Sequence, residues 1–97
     1  MSLQELVLKL LDGITDATIR ADVAATISLI LENYMVGSAD DKKTKTKTYL
    51  RELVMDVLMT KYPFKSAEEL KDEVEKWVEA LYRAVKIRAM RMRMGLE

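Results

Sequence analysis

The side chains best suited to chemistry in this chain are the charged ones, because the usual catalytic and metal-binding types are missing. The 97 residues include 16 Lys or Arg and 16 Asp or Glu, but neither His nor Cys. Without Cys there is no thiolate nucleophile, disulfide or Cys-ligated zinc. Without His the commonest general base is absent as well. No Gly-rich phosphate loop or nucleophile motif occurs, so we predict a non-enzymatic protein with no cofactor, metal site or small-molecule substrate.

One group of carboxylates has the spacing of a hard-metal site on a single predicted helix. These residues also occupy the first turns of that helix, where the helix dipole favours acidic groups by about 0.3–1 kcal/mol each. The predicted role is therefore to begin a solvated helix rather than to bind a cation. The group comprises Glu68, Glu69, Asp72 and Glu73.

Positive charge is concentrated in two short segments. Residues 41–50 contain four Lys and one Asp, and residues 81–97 contain four Arg, one Lys and one Glu. Cations at this density neutralise phosphates, which predicts a salt-dependent, sequence-independent affinity for nucleic acid as one alternative. The competing interpretation is that the lysines solvate a loop and the arginines complement a helix C-terminus. The candidate nucleic-acid contacts are Lys42, Lys43, Lys45, Lys47, Arg83, Lys86, Arg88, Arg91 and Arg93.

Four amphipathic helices are expected to position these groups in one all-α, four-helix bundle-like domain over residues 1–97. Ser-x-x-Glu capping boxes at Ser2 and Ser66 mark the starts of the first and last helices, and Thr15 is the expected cap of the second. Gly13 and Gly37 are expected to end the first and second helices. The helices are predicted over residues 3–12, 16–36, 48–61 and 67–94.

Two further features of the pattern concern the middle of the chain. Residues 38–47 have no apolar periodicity, so they are predicted to form a flexible basic linker. The second helix has a wide apolar arc, with Leu29 and Val36 on its far side. Such an arc is typical of a central helix that several neighbours contact.

The last helix changes its apolar face near its end. Its main stripe, which includes Trp77, ends at Val85, and Arg88 then falls in the middle of that stripe. A helix of this length extends over roughly 42 Å, whereas a spherical globule of this size is roughly 32 Å across. Residues 86–95 are therefore predicted to project as a basic amphipathic tail.

The apolar residues on the far side of the tail predict a protein partner. Ile87, Met90 and Met94 would bury apolar area worth roughly 4–8 kcal/mol before association costs, and Met55 and Met59 widen the face of the third helix. A second copy is the first candidate, because a basic tail in antiparallel orientation would lie along the acidic residues 68–79.

The sequence thus favours an interaction or assembly module that forms a homodimer. Sequence-nonspecific nucleic-acid binding is the alternative, and binding to an anionic membrane ranks last because only about two amphipathic turns are available. No segment approaches the roughly 18 apolar residues of a membrane span and no signal peptide begins the chain, so a cytoplasmic protein is expected. The single Asn and single Gln are typical of thermophilic proteins, although seven Met residues argue against that origin.

Overall fold

The computed structural model describes residues 1–37 and 39–95, without the side chains of residues 39–41. Within these ranges the chain forms helices and no strand, so the all-α prediction is confirmed. The helices are α1 (Leu3–Leu10), α2 (Ala17–Val36), α3 (Ala39–Lys61) and α4 (Ala67–Arg93).

Helix α4 is the centre of the bundle. It packs against each of the other three helices and most extensively against α3, whereas α1 and α2 hardly touch one another. Ion pairs Lys47–Glu79 and Arg51–Glu75 show that α3 and α4 run antiparallel. The prediction of a central second helix is wrong, because the far-side apolar residues Leu29 and Val36 of α2 lie in solvent.

Ser2 and Ser66 cap α1 and α4, as the sequence predicts. At α4 the capping box is complete, since Ser66 Oγ accepts from the Glu69 N–H at 3.2 Å and the Glu69 carboxylate accepts from the Ser66 N–H at 3.1 Å. At α1 only half of it forms. Ser2 Oγ accepts from the Glu5 N–H at 3.1 Å, but the Glu5 carboxylate accepts from the Ser2 hydroxyl rather than from its N–H.

The cap of α2 is Asp16 rather than the predicted Thr15. A carboxylate oxygen of Asp16 accepts from the N–H groups of Thr18 and Ile19 at 2.8 and 3.2 Å. Both residue types make good caps, so local preference did not separate them. The turn before α2 contains Gly13 at a positive φ of 88°, a conformation that glycine adopts readily.

The predicted flexible linker is wrong over residues 39–47, because α3 has already begun there; residue 38 lies outside the described residues. Thr46 is buried, Lys47 Nζ donates to a Glu79 carboxylate oxygen at 2.6 Å, and Lys42 Nζ lies 5.2 Å from the centre of the Tyr34 ring. This first part of α3 has no apolar stripe. It is stabilised instead by polar contacts and by the aliphatic parts of its lysine side chains, which pack on the neighbouring helices.

The core is built around the inner stripe of α4. This stripe meets fully buried Leu and Val side chains of α3 and α1. Trp77, predicted to be a core residue, packs against the core but remains partly exposed at its edge. The fully buried residues of the stripe are Leu70, Val74, Val78, Leu81 and Val85.

Residues 86–95 do not project freely as predicted. Their first turn packs on the bundle, and their end is attached to α2. The molecule measures 43 × 27 × 21 Å, so it is elongated rather than spherical, and α4 extends along its greatest dimension. Ala89 is buried, and Arg93 Nη2 donates to the Met35 carbonyl oxygen at 3.0 Å, which fastens the end of α4 to the end of α2.

Candidate functional site

The outer face of the C-terminal half of α4 presents a row of large apolar side chains to solvent. Ile87, Met90 and Met94 are 56, 57 and 65% exposed. The inner face meanwhile continues with small residues, since Ala84 and Ala89 are buried. The three side chains therefore lie where the pattern places them, outside the core, and their role in binding a partner stays a prediction.

The outer face of the N-terminal half of α4 differs in both shape and charge. It carries a shallow depression. Trp77 and Ala80 form an apolar wall, and the other lining residues are charged and mostly acidic. The pKa of Glu69 is lowered by the hydrogen bond from the Ser66 backbone N–H, so this carboxylate stays charged at neutral pH. The other lining residues are Asp72, Glu73 and Lys76.

The structure does not join the two predicted methionines of α3 to the apolar row of α4. Met55 is partly buried against the core, and Met59 is half-exposed. Continuing the antiparallel pairing of α3 and α4 places Met59 beside the start of α4, about 30 Å from Met90. The predicted interface residues therefore occupy two separate surfaces.

A cluster of lysines and tyrosines joins α2, α3 and α4. The Tyr34 and Tyr82 rings meet edge to face with their centres 6.2 Å apart. Lys47 Nζ and Lys86 Nζ lie 5.2 and 5.6 Å from the centre of the Tyr82 ring, and Lys42 Nζ lies over Tyr34. Burial raises the pKa of the Tyr82 hydroxyl. Sequence analysis missed both tyrosines, because their pairing depends on how α2 crosses α4.

The lysine–tyrosine cluster brings together the two basic segments that are distant in the sequence. Lys43 and Arg83 are both exposed, and both lower the pKa of Glu79 through their charge, so both lie near Glu79. The largest cause of that lowered pKa is the hydrogen bond from Lys47. Lys47 is thus largely committed to an ion pair, whereas Lys43 and Arg83 face solvent beside it.

The remaining predicted nucleic-acid contacts have different surroundings. Lys45 and Arg91 are exposed, and Arg93 is exposed while it donates to α2. Arg88 is half-buried and lines a groove next to α1 and α2. The nine cations therefore do not form one continuous solvent-facing patch.

In the described part of the chain, the Asp and Glu side chains include no group of three or more that would hold a metal ion. Among the helices of residues 1–37 and 39–95, none combines the length and apolar character needed to cross a membrane. Comparison of the chain with protein-family models, curated proteins and solved structures finds no match.

Proposed function

We propose that this protein is a non-enzymatic assembly module in which two copies pair through the outer faces of their α4 helices. The observation that supports it is the division of one exposed helix face into two complementary halves. The N-terminal half offers an acidic depression with an apolar wall, and the C-terminal half offers an apolar row among cations. A surface with both halves is complementary to itself under two-fold symmetry.

Antiparallel crossing at Ala80 brings the complementary halves together. Pairing outward from that residue sets Arg91 of one copy opposite Glu69 of the other. It also sets Ile87 next to the depression that Trp77 lines. A small residue at the crossing point lets the two helix backbones approach closely. A parallel pair would instead bring the basic ends together, where like charges repel.

In the proposed dimer, apolar burial supplies most of the affinity, and the charges set the orientation. Since Ile87, Met90 and Met94 are 56, 57 and 65% exposed, burying the exposed part is worth roughly 3–5 kcal/mol per copy before the cost of association. The exposed charge pairs at the rim add little affinity and mainly fix the orientation. The dimer should therefore weaken only modestly in high salt.

Measurement of mass in solution tests the proposal. Light scattering should give twice the chain mass at low and at high salt. The double variant Ile87→Ser/Met90→Ser should reduce this to the mass of one chain. A matched control is Leu29→Ser/Val36→Ser, which removes two apolar side chains of α2 that are at least as exposed, 58 and 84%, and should leave the dimer intact.

Two results would refute the α4 pairing. A wild-type protein that remains a single chain at concentrations of about 100 μM would remove its basis, since a useful interface saturates well below that range. If the α2 control lost the dimer while the α4 variant kept it, self-association would be assigned to the exposed face of α2.

Nucleic-acid backbone binding is the second candidate, favoured by the convergence of the two basic segments at the lysine–tyrosine cluster. Substitution Lys43→Gln/Arg83→Gln should weaken retention of duplex DNA or RNA at low salt, because exposed cations contact phosphates directly. The control Lys9→Gln/Lys71→Gln changes the net charge equally at remote exposed positions. Equal losses in both variants, or no retention by the wild type, would dismiss a localised site.

A further inference from the structure

An open groove lies between α1 and α2. Its volume is about 360 Å³, and both walls are mainly apolar. Neighbouring helices of a bundle ordinarily close such a seam by packing against each other, but here α2 packs on α3 and α4 instead. The apolar wall residues include Leu3, Val7 and Leu8 from α1 and Ala24, Ile27 and Leu31 from α2.

Two features of α2 keep the seam open. The first is the small size of Ala24 and Ser28, which face α1 where larger side chains would fill the space. The second is Arg20, whose Nη1 donates to the carbonyl oxygens of Leu11 and Ile14 at 3.2 and 2.9 Å. These bonds satisfy carbonyls at the end of α1 and hold the two segments together through a long polar side chain.

The walls of the groove match the apolar face of a helix. On α2 the lining positions Ala24, Ile27 and Leu31 follow the i, i+3, i+7 spacing of one helix face. They extend over about 10 Å, or two turns. A partner helix laid over such a seam inserts side chains at i, i+4 and i+7.

Charge at the groove specifies what the partner carries. Arg20 and Arg88 both line it, and no carboxylate does. Since Arg20 uses only Nη1 for the α1 carbonyls, its Nε–H and Nη2 protons remain to meet an acceptor. An acidic side chain beside the apolar row of a ligand would accept from Arg20 Nε–H and Nη2–H in bidentate geometry.

The same charge argues against a second copy of this chain as the occupant. The exposed apolar row of α4, at Ile87 and Met90, lies among arginines, which Arg20 would repel. The acidic half of the same face is a depression with a partly buried Trp77, so it has no protruding apolar row to insert into a groove. We infer that the groove between α1 and α2 binds an acidic amphipathic helix of a different protein. The groove adjoins the outer face of α4, because Leu8 lines both the groove and a depression that Trp77 borders.

Binding of two matched synthetic helices tests this inference. Each has about 14 residues, or four turns, with Leu at i, i+4, i+7 and i+11; one carries Glu beside the apolar row and the other carries Lys. Fluorescence anisotropy should show the acidic peptide binding about tenfold more tightly or better, because one well-placed charge contact is worth a factor of that order.

A pair of variants on α2 locates the site. Ala24→Leu fills the groove and should abolish binding of the acidic peptide, whereas Ala25→Leu adds the same side chain at an exposed position outside the groove and should not. Both positions are exposed, so both variants should keep the helical circular dichroism of the wild type.

Four results would overturn the inference. The first is equal binding of the two peptides, and the second is equal loss of binding in Ala24→Leu and Ala25→Leu. The third is binding of laurate, displaced by Ala24→Leu, with neither peptide bound, because that would make the groove a site for a lipid chain. A change of mass in solution confined to Ala24→Leu would instead assign the groove to a second copy.

Discussion

The inner and outer faces of α4 belong to one helix but are built for different purposes. The inner face is a continuous stripe of fully buried Leu and Val residues that ends in Val85, followed by the small, buried Ala89. The outer face changes from an acidic depression to an exposed apolar row within the same length. Uniform character suits a face that packs within one chain, whereas a change of character along a face suits a contact with a specific orientation.

This contrast separates folding from recognition. Core packing requires only that side chains be apolar and of suitable volume, and the inner stripe meets that requirement completely. Within the described residues, more than half of the surface of Ile87 and Met90 on the outer face remains in solvent. Their apolar area therefore adds little to the stability of one chain, and it is available to a partner.

The largest difference between the faces should appear in stability. Leu81→Ala removes a fully buried side chain from the inner face and should lower the free energy of unfolding by about 2–5 kcal/mol. Met90→Ala on the outer face should change it by less than about 0.5 kcal/mol in the monomer. Urea denaturation at low protein concentration measures both. Similar losses would mean that the outer face is also packed in the single chain.

A smaller effect is expected at the start of α4, where both faces begin. Ser66→Ala removes the complete capping box and should cost about 1 kcal/mol. Thr15→Ala is a suitable comparison, because Asp16 provides the cap of α2, and it should cost little. Equal losses would contradict the assignment of Asp16 as the cap.

The smallest effect should come from the ion pairs along the edge between the two faces. Hydrogen bonds from Arg51 and Lys47 lower the pKa values of Glu75 and Glu79 from 4.5. Groups with lowered pKa values stabilise the fold above their unfolded-state pKa, and this contribution is lost as the pH falls through the folded-state pKa. The wild type should therefore lose stability more steeply than Glu75→Gln/Glu79→Gln below pH 4.5.

Salt provides the check on that pH effect. The carboxylates are about half-exposed, so about 1 M NaCl should screen the pairs and reduce the difference between wild type and variant. Parallel pH profiles of unfolding free energy for the two proteins, at low salt, would show that these pairs do not contribute.

The sequence predicts helices well where local signals and packing agree. Ser66 and the apolar stripe from Leu70 to Val85 specify α4 within a residue of its observed ends. The start of α3 was wrongly predicted because Lys42 and Lys47 contact Tyr34 and Glu79, which are distant in the chain. Such contacts leave no periodic trace in the segment itself.

The candidate surfaces were predictable only in part, for a related reason. The exposed row at Ile87, Met90 and Met94 follows from helix periodicity, so the sequence locates it. The groove at Ala24 and Arg20 depends on the separation of α1 from α2, which is a tertiary quantity. The projection of the tail was wrongly predicted because the estimate assumed a sphere, whereas the molecule is elongated, with a greatest dimension of 43 Å.

Cross-linking at the proposed symmetry axis tests α4 pairing most directly. The chain has no Cys, so Ala80→Cys introduces a single thiol where two copies should cross, and Ala25→Cys introduces one at an exposed position on α2. A disulfide requires Cα atoms within about 7 Å. Under mild oxidation Ala80→Cys should form a covalent dimer rapidly and nearly completely, while Ala25→Cys forms little. Equal slow cross-linking of both variants would contradict the pairing of α4 outer faces.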